Sequence, residues 1–444
     1  NVSWEQVLQN GSISGIPSYV SQIDAPNSTS LTTTTTATVT ANPTGNVDLR
    51  RQSIRHLSGM IKCTPQETER ITDAVILELK PRLAAKYIPG IPAYIFFMCI
   101  RYIDFVDDEA HVAGFLSAIT KKIKKVPRRN EDIDYPILWI TNTVRFLHIL
   151  QQYSGEEKYQ TTNTPKQNEQ ALRNFDLTDY RTIFADLVVH LYDEILKRIK
   201  AKLLPMIIPA IIEHEDLESG SIVSINPMTS ASTSNDKRSK FSAQDLLKQL
   251  NDYHKLVQMY SVEPFIVQQL FKQIFYIINA QAFRGLLVRS DCCNWSKALQ
   301  IRYNLNHLTE WLRDQNLQES GAADCLLPLT QAVQLFLCKK DEASISNVCT
   351  KLTIVQVTKL LSLYKSMDDF DDQVTPALIK RVSDLLKQQR LSSTKDQTII
   401  DYEQQENFDL SYTFPLVYPY VPSAVSLDQL DIPHELHLDF LSLV

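Results

Sequence analysis

Apolar residues recur at three- and four-residue steps through most of the chain, and the longest continuous register runs from Leu177 to about Glu215. Phe184, Leu187, Val188, Leu191, Ile195, Ile199 and Leu203 fall on one face of a helix. At 1.5 Å per residue such a helix reaches about 55–60 Å, with Pro205 and Pro209 expected to kink it or end it early. A helix of that length links two packed bodies. Shorter helical registers cover 92–106, 109–126, 134–153 and 166–173 before it, and 262–288, 296–315, 323–338, 352–365 and 373–390 after it. Thr64-Pro65-Gln66-Glu67 reads as a helix start, with Thr64 as N-cap and Glu67 completing a capping box. The helix behind it, carrying Ile71, Ala74, Val75, Leu77 and Leu79, stops before Pro81. Ser242 reads as a second N-cap.

Three segments lose the period. Residues 1–50 are rich in Ser, Thr, Asn and Pro, bury too little apolar surface to offset ordering entropy, and read as a flexible linker, with Trp4 and Val7 marking a short helix at its start. Residues 217–241 read as an exposed loop. In 394–433, Pro415, Pro419 and Pro422 exclude a helix, while Tyr412, Phe414, Tyr418 and Tyr420 require burial. An extended strap lying across the helical body satisfies both. The pattern therefore predicts an all-α, elongated, two-subdomain helical bundle joined by a long central helix. Its divisions are a linker at 1–50, subdomain I at 51–200, subdomain II at 201–395 with the loop 217–241, and a strap at 396–444 returning to subdomain I. No repeat of fixed period appears, which argues against a regular solenoid.

Composition narrows the function classes. With 10 glycines in 444 residues, the chain has little material for glycine-rich phosphate loops or turn-dense sandwiches. Lys and Arg number 45 against 51 Asp and Glu, a formal charge of −6, so the electrostatic footprint of a nucleic-acid binder is missing. Seven scattered cysteines without a CxxC pair read as reduced, buried thiols of a cytosolic protein. The longest apolar run, 87–100, is broken by Pro89, Gly90 and Pro92 and cannot span a bilayer. The chain starts on Asn without a signal-peptide pattern, and reads as a fragment of something longer.

No P-loop, GxSxG elbow or HExxH occurs, so neither an enzyme nor a cofactor is expected. His434 and His437 read as an exposed pair rather than a metal site, and Asp107-Asp108 and Asp371-Asp372 as helix-capping carboxylates. Two features remain for binding. Lys121, Lys122, Lys124, Lys125, Arg128 and Arg129 form a basic run, read first as a solvated helix C-terminus. Its alternatives are a surface for acidic lipids or partners, or a nuclear signal. Trp295–Asn316 is mostly core by pattern, with Tyr303, Trp311 and Arg313 placed to reach a partner.

That second segment carries a family resemblance. CNWSKALQIRYNLNHLTEWLRDQNL (293–317) resembles the signature of the dilute domain, the cargo-binding globular tail of class V myosins. IPGIPAYIFFMCIRY (88–102), FLHILQQYSGEE (146–157), QNEQALRNFDLTDYR (167–181), KQIFYIINAQ (272–281) and FPLVYPYVPSAVSLDQLDIP (414–433) agree in order, so the likeness covers about 60–444. It implies two helical-bundle subdomains bridged by a long helix and wrapped by a C-terminal strap. It implies attachment of vesicles and organelles to an actin motor through adaptor proteins and Rab GTPases, and autoinhibitory docking on the motor head. The motor, its calmodulin-binding neck and the coiled coil would lie outside this chain, in the cytoplasm with the actin cytoskeleton.

The resemblance also implies residue roles. Tyr303 matches a Rab-contact position, and the glutamine that accompanies it in the family is Leu337 here. Lys359 matches one of two lysines that meet the motor head; the other position is Ser290, with Arg289 beside it to supply the charge. Ser239, after Lys237 and Arg238, stands where family members carry a basic, serine-containing loop, a weaker version of that pattern that reads as a regulatory phosphorylation site. Adaptor peptides are expected in a groove between helices of 92–126. An afadin-type dilute-domain scaffold and a helical-rod subunit of a vesicle tether are the rival classes.

Overall fold

The computed structural model describes residues 58–129, 131–215, 241–366, 373–392 and 396–444. The expected linker at 1–50, nearly all of the loop 217–241 with Lys237, Arg238 and Ser239, and Asp371-Asp372 lie outside these residues.

The chain is all-α. Its longer helices are α1 (Ile91–Val106), α2 (Glu109–Arg129), α3 (Asp134–Gln152), α4 (Thr178–Ile208), α5 (Ala243–Met259), α6 (Pro264–Val288), α7 (Trp295–Asp314), α8 (Leu327–Leu337), α9 (Ile354–Leu363) and α10 (Pro376–Leu391). Among the described residues no helix is long and apolar enough to cross a membrane.

The α4 register is realised in full: all seven residues of the stripe are at most 2% exposed. The 31 residues of α4 span about 46 Å. The helix continues past Pro205, and at Pro209 it passes into a π-turn, Pro209–Glu213. One long element therefore packs against α3, α2 and α6 alike. Where α6 crosses α4 the interaxial gap is closed by Gly285. A Cβ there would lie 2.9 Å from the Ile208 side chain.

Both expected caps form. The Thr64 N–H donates to Glu67 at 2.8 Å, and Ser242 and Asp245 bond reciprocally at the start of α5. Asp108 caps α2 by accepting the His111 N–H at 2.9 Å. The helix expected at 166–173 stops at Glu169. The cause lies in α1: the Asp104 carboxylate, 5% exposed, accepts the N–H groups of Arg173, Asn174 and Phe175 at 2.9–3.0 Å. Three donors converging on one buried carboxylate outcompete another helical turn. The 323–338 register is likewise split, into Ala322–Cys325 and α8.

The C-terminal segment opens with a short helix, Gln397–Glu403, which the proline-based reading misses because that stretch precedes the prolines. From there the chain is extended, and its exposure alternates. Phe414, Leu416, Tyr418 and Tyr420 lean inward, half-buried, while Pro415, Val417 and Pro419 face out. With no neighbouring strand, glutamine side chains supply the ladder. Gln273 accepts the Phe414 N–H and donates to the Tyr412 carbonyl, each at 2.8 Å. Gln269, one turn earlier on α6, brackets Val417 in the same way. Gln152 on α3 brackets Ser423, accepting its N–H at 2.9 Å and donating to its carbonyl at 3.0 Å. An amide presents a donor and an acceptor together, so each glutamine satisfies one N–H and one carbonyl of the strap. Leu427, Leu430, Leu436 and Leu438 then enter the core, and Ser442–Leu443 pairs antiparallel with Ile61–Lys62.

His148 lies beneath this strap, 2% exposed, its ring edge-on to Tyr420, and neither ring nitrogen meets a hydrogen-bond partner in the protein. Burial, reinforced by the Arg145 charge, pushes its pKa down from 6.5 to about 4. The unfolded chain thus binds this proton below 6.5 while the folded chain resists it until about 4. Stability is complete above that window and falls as pH drops through it, by about 3 kcal/mol. His148→Leu should flatten the melting temperature's fall between pH 6.5 and 4; an unchanged slope would remove His148 as its cause.

Candidate partner-docking surfaces

Helix α7 is held by its own first turn, where the Asn294 side chain accepts the Lys297 N–H at 2.9 Å. Ala298, Ile301, Leu305, Leu308 and Leu312 face inward, each at most 4% exposed. Trp311, expected to reach a partner, belongs to the core instead. It is 5% exposed, packs on Phe271, Phe275 and His254, and donates its indole N–H to Asn251 at 2.8 Å. Arg313 is exposed as expected.

The outer face of α7 carries Trp295, Leu299, Tyr303 and His307 at four-residue steps. Trp295 is 48% and Tyr303 42% exposed, and the Tyr303 ring sits edge-on to His307 at 4.5 Å. Leu337 is half-buried at the end of α8, which packs beside α7. An aromatic ring left half in water on a rigid helix is the kind of group that anchors interfaces.

The two cations are less free than their sequence positions suggest. Arg289, at the C-cap of α6, pairs with Glu213 from the π-turn behind α4, and Lys297 pairs with Glu215. Lys359 on α9 lies 4.0 Å from Glu406 at the root of the strap, with both side chains nearly half-exposed. Such pairs are weak in water and readily exchange partners. Ser290 is half-buried in the turn after α6.

On the expected adaptor side, α1 is almost wholly buried, and Phe105 and Val106 at its C-terminal end are its exposed large apolar residues, at 53% and 46%. The cleft that α1 helps to line joins its start, Ile91 and Pro92, to Leu138 and Asn142 of α3 and to Met259 and Tyr260. A polar cleft of about 650 Å³ lies between residues 150 and 181, bordered by Glu156, Lys158, Asn174 and Arg181. All seven cysteines are free, and burial pushes the thiols of Cys293 and Cys349 up to about 12, which leaves them protonated and unreactive. His434 and His437 are exposed, and no cluster of metal-ligating side chains occurs among the described residues.

Residues 269–368, which span most of α6 and all of α7, α8 and α9, match the DIL domain family. Unconventional myosin-Va of Gallus gallus is 38% identical over 88% of this chain, and unconventional myosin-Vb of Mus musculus 37% over 90%. Over most of its length the chain is similar to the tails of class V myosins. It spans about a fifth of those relatives' length, 21% and 22%. A solved structure described as the myosin V cargo binding domain superposes with a TM-score of 0.52 at 18% identity, covering 82% of this chain and 95% of its own. Myo2-GTD in complex with Inp2 superposes at 0.51 and 18% identity, covering 89% and 98%. These likenesses establish the shared fold. What matches is the non-catalytic tail of such motors.

Proposed function

We propose that this chain is the cargo-binding tail of an actin-based class V myosin, acting in the cytoplasm and attaching vesicles and organelles through adaptor proteins and Rab GTPases. Similarity to class V myosins across nearly the whole chain is the observation that carries this reading. The fold it shares with a tail solved with Inp2 bound supports it. Within it we assign subdomain I to 51–200, subdomain II to 201–395 and the strap to 396–444. Calmodulin and actin are met only through regions outside this chain.

Adaptor peptides engage subdomain I. The exposed Phe105 and Val106, beside the half-buried Tyr102, are the apolar contacts that α1 offers. Hydrogen exchange with a bound adaptor should show protection within 92–126; protection confined to 242–390 would refute this placement.

The same tail holds its motor head inactive, with Lys359 and Arg289 supplying the cations. Docking must exchange Glu406 and Glu213 for carboxylates of the head, so the site acts as a salt-sensitive steering contact rather than a tight anchor. Added in trans to a tail-less motor, the chain should inhibit actin-activated ATPase, less so as salt rises. Lys359→Ala should weaken inhibition several-fold, and Arg289→Ala further. Equal inhibition by wild type and double mutant at low salt would sink the site. Phosphate on Ser239 is proposed to regulate partner binding. A Ser239→Glu chain that matches wild type here and against every adaptor would count against it.

A further inference from the structure

The basic run of α2 is sorted by the helix into two populations. Lys122 points inward, 6% exposed, ion-paired with Glu69 and Asp73 and bonded to Thr72. Lys121, Lys124, Lys125 and Arg128 fall at i, i+3, i+4 and i+7 on the outer face with Arg129 beside them, and all five are exposed. Among the described residues none of these five side chains has an ion-pair or hydrogen-bond partner. The helix end that carries them is braced, since the Arg198 guanidinium donates to the carbonyls of Pro127 and Asp132 at 2.7 Å. Glu131 and Asp132 follow in the next turn, and Asp132 is turned back to accept the Asp134 N–H.

We infer that this face of α2 is a direct contact for an anionic membrane surface, distinct from any adaptor-mediated attachment. Charge complementarity selects the class of occupant, because five unneutralised cations on a chain of net charge −6 favour one orientation toward an acidic surface. The relief of the face selects between lipid and protein. Among its described residues α2 exposes no large apolar side chain. The outer stripe before the cations is low: Ala110, Ala113, Gly114 and Ser117. A peptide needs a pocket or groove for its anchors, whereas a lipid leaflet needs only a flat array of charge.

The test is sedimentation of the full chain with vesicles of phosphatidylcholine holding about one-third phosphatidylserine, at low and physiological salt. Each basic residue near such a surface strengthens partition about fivefold, so Lys121→Gln/Lys124→Gln/Lys125→Gln should weaken binding by about a hundredfold. These positions are exposed, and an unchanged melt certifies the fold of the variant. Binding should also fall steeply with salt and be absent on pure phosphatidylcholine. Equal binding by the triple variant, or equal binding to neutral vesicles, overturns the inference. A soluble polyglutamate peptide bound more tightly than the vesicles would give the face to an acidic protein and overturn it as well.

Discussion

A chain ending at Gln404 should melt far below the full chain, or fail to fold. The removed segment buries Leu427, Leu430, Leu436 and Leu438, each at most 4% exposed. At about 1.5–3 kcal/mol per buried side chain, the four contribute on the order of 6–12 kcal/mol as an upper bound. That is comparable with the whole stability of an ordinary domain, about 5–15 kcal/mol. The truncation also leaves Gln152, 1% exposed, without its partners on Ser423. A milder variant separates the brackets from the leucines. Gln269→Leu/Gln273→Leu keeps every buried apolar group but strips four hydrogen bonds from the strap, for a loss of about 2–4 kcal/mol. Thermal melts followed by circular dichroism measure both. A truncated chain melting with the full one would mean that the strap merely rests on the helices.

The second large effect concerns Tyr303. Its exposed ring, on a helix whose other face is locked into the core, needs no rearrangement to meet a partner, which keeps the ordering cost of binding low. Tyr303→Ala should weaken binding of a GTP-loaded Rab by about thirtyfold, equivalent to about 2 kcal/mol. The same change should barely move the melting temperature, because the side chain is 42% exposed and packs on His307. Calorimetry on wild type and variant gives the answer. Equal affinities would reduce Tyr303 to a packing partner of His307.

Periodicity made α4 legible down to individual residues, because one long stripe leaves no competing register. Local rules also placed the caps at Thr64 and Ser242, where the partners are three residues apart. What escaped was decided at long range. Nothing near residue 173 announces that Asp104, about seventy positions earlier, will collect its N–H. The glutamine brackets join residues 139–271 positions apart, and a lone glutamine carries no sequence signal of that role. Trp311 was misplaced because an indole with a polar handle suits interface and core alike; Asn251 decides the matter. The pairing of Arg289 with Glu213 and of Lys359 with Glu406 has no local signal, because the two acids come from distant segments. In α2 the helical period alone separates Lys122 from the outward cations once the buried stripe of Ile119, Ile123 and Val126 is fixed.

The most direct test of the cargo-tail assignment is transport. Fused behind the motor, neck and coiled coil of chicken myosin-Va, this chain should capture and move beads bearing its GTP-loaded Rab along actin. The Tyr303→Ala fusion should do so far less, and the tail-less motor should not do so at all. Beads bearing each Rab GTPase in turn, captured no better by the fusion than by the tail-less motor, would contradict the Rab-borne attachment proposed for this chain.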